Sequence, residues 1–243
     1  MKLSRIVGGA LCLAFAVLLG PNPAHAQYES GQWQVAPLFS VNTYDSATGF
    51  QTAGQIGGTV MYSLNQIFGL GFGFGYARPE MDGTIFPNAI WKVHADTVLM
   101  EVAGYQTSQW TYYANLQAGI PLGSLYLFAQ AGIGGVTFWY DRQSFSEVTQ
   151  QTGNVSESSM MIPLGIGFNY AISSLLGVGL SVVDEIWTGF ERNNMNPVFE
   201  ERFQNTCQVE NFCIIGANGD PPATKETYHN FRFSLVFGFT PGG

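Results

Sequence analysis

The most informative feature of the chain is a period-two alternation of apolar and small or polar residues, the signature of β-strands. It is clearest from Phe68 to Tyr76. There Phe68, Leu70, Phe72, Phe74 and Tyr76 fall on one face, and Gly69, Gly71, Gly73 and Gly75 on the other. A soluble sheet would turn its aromatics inward and polar residues outward. A glycine face suits neither solvent nor an ordinary core, but it does suit the lining of a crowded barrel whose apolar face meets lipid. The last alternating segment carries a charge. Phe231, Phe233, Leu235, Phe237 and Phe239 share one face, and Asn230, Arg232, Ser234, Val236 and Gly238 the other. An Arg turned to lipid at mid-membrane costs about 2–4 kcal/mol, so Arg232 is expected to point into the lumen.

The same pattern predicts strands over Trp33–Val41, Gln55–Leu64, Trp110–Ile120, Leu125–Phe138, Ile162–Tyr170 and Leu176–Trp187. Pro163 removes a ladder hydrogen bond, so a bulge or the strand's outer end is expected there. The connections alternate in length. Asn65-Gln66, Pro121–Ser124 and Ala171–Ser174 are short, while Asn42–Thr52, Arg78–Gln109, Tyr140–Ser158 and Phe190–Thr227 are long and polar. Short periplasmic turns and long external loops are the habit of outer-membrane barrels. The expected fold is therefore all-β: an antiparallel up-and-down transmembrane β-barrel of eight strands with both ends in the periplasm. Val93–Gly104 is also strand-like. It extends a neighbouring strand, forms an external hairpin, or raises the count to ten.

The N-terminus reads as a secretory signal. Lys2 and Arg5 precede an apolar stretch from Ile6 to Leu19, then Gly20, Pro21 and Pro23, then Ala24-His25-Ala26. Cleavage is expected after Ala26, leaving a barrel domain over 27–243. The apolar stretch is shorter than the ~20 residues of a spanning helix. Lipidation at Cys12 is the alternative, but Leu11 stands where a small residue is wanted. Losing Lys2 and Arg5 takes the formal charge from −8 to −10, which argues against nucleic-acid partners. Only 11% of residues are charged, against about 25% in soluble domains.

The pattern resembles the small bacterial outer-membrane barrel families, the OmpA-type transmembrane domain and the OmpW-like barrels. Leu125–Gly135 is similar to a Tyr-then-Gly-rich strand common in them. The aromatic alternation ending at Phe239 resembles the C-terminal signal read by the barrel-assembly machinery, although Thr240-Pro241-Gly242-Gly243 follow it. The resemblance implies an outer-membrane location, contact with outer-membrane lipid, and assembly by that machinery. It implies little about activity.

Candidate chemistry is sparse. His94 and Asp96 lie two apart, His229 begins the last strand, and Asp184 and Glu185 end the one before it. These could assemble a His–carboxylate site at the external rim. The lipid A deacylase pattern His-x-Ser-Asn is absent, since Asn230 and Phe231 follow His229. Glu101, Glu185 and Arg232 are expected as a lumenal ion network, because buried charges need partners. Trp33, Tyr62, Tyr76, Trp110, Tyr112, Tyr170 and Trp187 lie near strand ends, where aromatic belts form. Cys207 and Cys213 favour a disulfide over zinc, having no nearby His. The acids of the 190–227 loop do not follow an EF-hand spacing. No motif supports a cofactor, a metal or catalysis. The expected role is structural or surface interaction through the long loops, with loop 190–227 as a site for an external partner. A narrow pore or carrier for small or apolar molecules is second, and a lipid-modifying rim enzyme third.

Overall fold

A computed structural model describes residues 30–81, 89–94, 97–102, 106–142, 153–195 and 224–241. Ten strands occur in it: β1 (Trp33–Thr43), β2 (Ala53–Ser63), β3 (Phe68–Ala77), β4 (Ala89–His94), β5 (Thr97–Val102), β6 (Ser108–Leu122), β7 (Leu125–Arg142), β8 (Gly153–Ala171), β9 (Leu176–Thr188) and β10 (Thr227–Phe239). Eight close into one antiparallel barrel in the order β1-β10-β9-β8-β7-β6-β3-β2. The strand-like segment that complicated the count is an external hairpin: β4 and β5 pair only with each other, from Ala89↔Val102 to His94↔Thr97.

Closure joins the first strand to the last, from Val35↔Phe239 to Thr43↔Phe231. This leaves the barrel sheet no open edge, which is what a strand structure needs in a medium that cannot hydrogen-bond. The alternation maps onto inside and outside as the residue types dictate. Phe68, Leu70, Phe72 and Phe74 of β3 are exposed on the outer wall, as are Phe231, Phe233, Leu235, Phe237 and Phe239 of β10. The intervening residues of both strands are largely buried.

Two expectations are corrected. The β7–β8 connection is shorter than its polar composition suggests. Pairing continues through Phe138↔Glu157 and Tyr140↔Val155 to Arg142↔Gly153, so this hairpin stands further out than its neighbours. Composition misled because ladder bonds hold a polar strand that has left the membrane as well as an apolar one within it. Pro163 marks neither a bulge nor a strand end. It sits inside β8, where pairing to β7 lapses between Ala131↔Leu164 and Gly134↔Met161 and resumes in the same register. The missing N–H thus costs local ladder bonds without inserting a residue.

The inward glycines make room for other side chains. A methyl added at Gly73 would overlap the Tyr113 ring, one at Gly75 the Gln55 amide, and one at Gly71 the sulfur of Met61. The bare strip on β3 is what lets long side chains from its neighbours β2 and β6 lie over it.

Candidate functional site: the filled lumen and the external mouth

The lumen is packed in three levels. At the external end the β1–β2 connection folds back into the barrel mouth. Its 3-10 turn, Ser46–Thr48, is N-capped by Asp45, whose carboxylate accepts from the Ala47 amide at 3.0 Å, and it ends at Gly49 with φ of 82°. Only a residue at ease in the left-handed region turns the chain so sharply there. The turn delivers Phe50 into the barrel. Phe50 stacks on Phe138 of β7 with centroids 4.7 Å apart, and Trp187, Phe190 and Tyr228 complete an aromatic plug. Met81, Met161 and Met195 are buried in the same cluster.

Polar latches hold this turn. Arg192 Nη1 donates to the Ala47 carbonyl at 3.0 Å, and the Asp45 amide donates to Asn230 Oδ1 at 2.9 Å. Lys225 Nζ reaches both Asp45 carboxylate oxygens at 2.8 Å. Burial works to raise the Asp45 pKa, but the Lys225 ammonium and the Ala47 amide outweigh it and hold the carboxyl below its ordinary value. Burial pulls the Arg192 guanidinium below its ordinary value, with Tyr228 working against it.

Beneath the plug lies a polar level. Arg232 of β10 and Glu185 of β9 form an ion pair of 2.7 Å with both side chains 2% exposed. Arg232 Nη2 also donates to the Tyr113 hydroxyl at 3.0 Å, and its guanidinium lies 5.0 Å from that ring's centroid. Round the wall from Arg232, its ladder neighbour Asn42 donates to Gln55 at 2.7 Å, and Gln55 to Thr111 at 2.8 Å. The Tyr44 hydroxyl donates to Gln109. Lower down, Asn115 donates to Gln130 at 2.9 Å and the Ser40 and Ser234 hydroxyls meet at 2.9 Å. At the periplasmic end, Gln34, Met61, Gln117 and Tyr126 leave a cavity of about 10 Å³, no larger than one water needs.

The structure places Glu185 and Arg232 together in the lumen. Glu101 lies on β5, outside the barrel sheet, so its strand does not line the lumen; its side chain, like that of His94 on β4, lies outside the described set. Asp96, Cys207 and Cys213 fall outside the described residues. His229 and Asp184 meet, with Nδ1 2.8 Å from Oδ2, on strand positions that face outward. Glu185 takes no part because it is one residue further along and therefore on the other face.

Trp33, Trp110 and Tyr112 are exposed on the outer wall. Trp139 joins them, 6.4 Å from Trp110. Trp187 is corrected: it is fully buried in the plug, because it lies two residues from Glu185 and shares its inward face. Tyr170 is also corrected. It is 8% exposed, flanked in register by Leu125 and Val178, and presents little surface to an interface. Sequence reasoning missed Tyr44, Phe50, Tyr113 and Phe138. Strand parity carried the signal for Tyr113 and Phe138, but Tyr44 and Phe50 lie beyond the alternation.

Among the described residues no helix is long and apolar enough to cross a membrane, and no group of three or more His, Cys, Asp or Glu is placed to hold a metal. A closed barrel with an apolar outer wall and a polar, packed lumen defines a membrane-spanning β-barrel. The chain belongs to the outer membrane protein beta-barrel domain family, whose model matches residues 10–197. Its members are bacterial outer-membrane proteins. No curated protein sequence matches the chain. Among solved structures it is similar to Neisserial surface protein A, with 10% identity, 85% of this chain and 96% of that one covered, and a TM-score of 0.49. For Ail, the attachment invasion locus protein of Yersinia pestis, identity is 12%, coverage 87% and 99%, and the TM-score 0.44. For OprG from Pseudomonas aeruginosa the values are 10%, 88% and 98%, and 0.44.

Proposed function

We propose that this chain is a sealed outer-membrane barrel with a structural or surface-interaction role, acting through its external loops. The observation that carries this reading is that side chains occupy the lumen at successive heights: the aromatic plug, the Arg232–Glu185–Tyr113 level, and a base where the cavity between Gln34, Met61, Gln117 and Tyr126 is only about 10 Å³. Small eight-stranded barrels have an interior just wide enough for side chains to fill, and the buried residues at these three levels support that reading here. A through-pore would have to break the buried ion pair and expel the plug. That asks for several kcal/mol with no compensating contact. Catalysis is not part of the proposal.

The loops are then what the protein offers to other molecules. The connection after β9 carries Glu191, Glu200, Glu201, Glu210, Asp220 and Glu226, an acidic composition suited to a basic surface partner. The test has two parts. The purified full chain, reconstituted in planar bilayers, is expected to give no steady conductance, and stable open-channel currents would overturn the sealed reading. Cells displaying the protein are expected to adhere to a basic polymer-coated surface, and to lose that adhesion when residues 196–223 are replaced by a short Gly-Ser linker while heat-modifiable gel migration persists. Undiminished adhesion would remove the loop role.

A further inference from the structure

The two ends of the barrel differ in charge. Asp, Glu, Lys, Arg and His are absent from residues 30–41, 55–77, 109–140, 159–183 and 233–241. Every charge among the described residues therefore lies level with Arg232 or further out. The three short turns at the opposite rim carry large apolar side chains instead. Leu64 and Ile67, Leu122, and Ile172 and Leu175 are 41–56% exposed. A rim standing in water is expected to mix in charged residues, as soluble surfaces do.

Two of these turns are built to one plan. In the first, the Leu64 and Asn65 amides donate to the Phe68 carbonyl at 2.9 and 3.2 Å. The Asn65 side-chain oxygen accepts from the Ile67 and Phe68 amides, both at 2.8 Å. In the second, the Ile172 and Ser173 amides donate to the Leu176 carbonyl at 2.9 and 3.0 Å. The Ser173 hydroxyl accepts from the Leu175 and Leu176 amides at 3.3 and 3.1 Å. Carbonyls at the rim are met as well. That of Leu64 accepts from the Ser30 hydroxyl at 2.9 Å, that of Ile67 from the Gly119 amide at 2.8 Å and the Tyr126 hydroxyl at 2.9 Å, and that of Leu175 from the Thr240 amide at 3.0 Å. Backbone groups outside water must find their partners in the protein. The same turns thus satisfy their own backbone and present apolar side chains.

The depth fits this. Outward apolar rows run from Trp33 to Val41 on β1 and from Phe231 to Phe239 on β10, eight residue steps each. Eight steps are about 27 Å along a strand, and about 20 Å along the barrel axis at a tilt of about 40°. The apolar band of an outer-membrane barrel is about 25 Å tall, so the strand rows fall short of it. The turns continue them. Leu64 is the next outward position after Tyr62, whose ring lies against Trp33 with centroids 4.8 Å apart.

We propose that the periplasmic rim is seated in the inner leaflet of the outer membrane, where phospholipid glycerol and headgroups cover Leu64, Ile67, Leu122, Ile172 and Leu175. The inference rests on the outer-membrane reading of the barrel and does not depend on whether the lumen is sealed. Phospholipid is the occupant because the turns extend a wall that already faces it. A protein docking from the periplasm would find no charge on the rim to orient it.

The test is carbene labelling of the refolded full chain in nanodiscs of phosphatidylethanolamine and phosphatidylglycerol. One reagent is a phosphatidylcholine with a diazirine near the glycerol end of its acyl chain, and the other is a small water-soluble diazirine. Labelled residues are located by mass spectrometry of chymotryptic peptides. Residues 64–68 and 172–176 are expected to take label several-fold more from the lipid than from water, and the exposed Ser46 of the external turn to show the opposite preference. Phe72, in the middle of the outward row of β3, is the reference. If Phe72 is labelled from lipid and the rim from water, the inference is overturned while the membrane reading stands. If Phe72 is also labelled from water, the membrane reading falls and takes the inference with it. A rim labelled by neither reagent overturns it too, and assigns that surface to contact between copies of the chain.

Discussion

At the scale of single residues, the lumen depends on matched pairs of large and absent side chains. Gly75 faces Gln55 and Thr111, and the amide of Gln55 occupies the space a methyl would take. Gly75→Ala is expected to destabilise the barrel by about 1–3 kcal/mol through overpacking, measured by urea unfolding of the refolded protein. Gly54, with open space around it, provides the control and is expected to change little on substitution to Ala. Arg232 and Glu185 give a sharper test. Arg232→Met alone strands a buried carboxylate and is expected to cost about 3–5 kcal/mol. Arg232→Met with Glu185→Leu is expected to recover most of that, because the desolvation of both charges is removed together. A double variant no better than the single one would show that the pair's value lies in its contacts with Tyr113.

At the scale of elements, the β1–β2 connection is held to the mouth by side chains distant in sequence. Asp45 is the centre of that attachment, with Lys225 and the Ala47 amide as partners. Its folded-state pKa lies below the ordinary carboxylate value near 3.9, so its contribution is present above that value and is lost as pH falls through the lowered one. The protection factor of the Ala47 amide, its slowing of hydrogen exchange relative to the unfolded chain at the same pH, should therefore be high at neutral pH and fall in acid. In Asp45→Asn the protection should be lower at neutral pH, and the difference from wild type should shrink as pH falls. A difference that persists at low pH would mean that the aromatic contacts of Phe50, and not the carboxylate, seat the turn.

At the scale of the whole molecule, the apolar belt sets orientation and depth. Phe72 lies midway along the exposed row of β3 and is 56% exposed to the surrounding medium. Phe72→Arg is expected to cost about 2–4 kcal/mol in lipid vesicles, the depth-dependent price of a charge on the lipid face at the midplane. A neutral result would place that wall in water. The N-terminal reading is tested independently: the exported protein is expected to begin at Gln27, as N-terminal sequencing would report.

The sequence by itself determined the strand count to within one ambiguous segment, the inside–outside parity of most strands, and the inward placement of Glu185 and Arg232. All of these follow from a period of two and from the different costs of Phe, Gly and Arg against lipid, which are local properties of the chain. It also held the evidence against its own placement of Trp187, which sits two residues from Glu185 and so must share its face. Only the tertiary structure decided what fills the lumen and what meets outside it. Phe50 reaches Phe138, Asp45 reaches Lys225, and Arg232 reaches Tyr113 because closure of β1 on β10 brings opposite ends of the chain together. Such contacts depend on the register and shear of the closed sheet, which no single strand encodes.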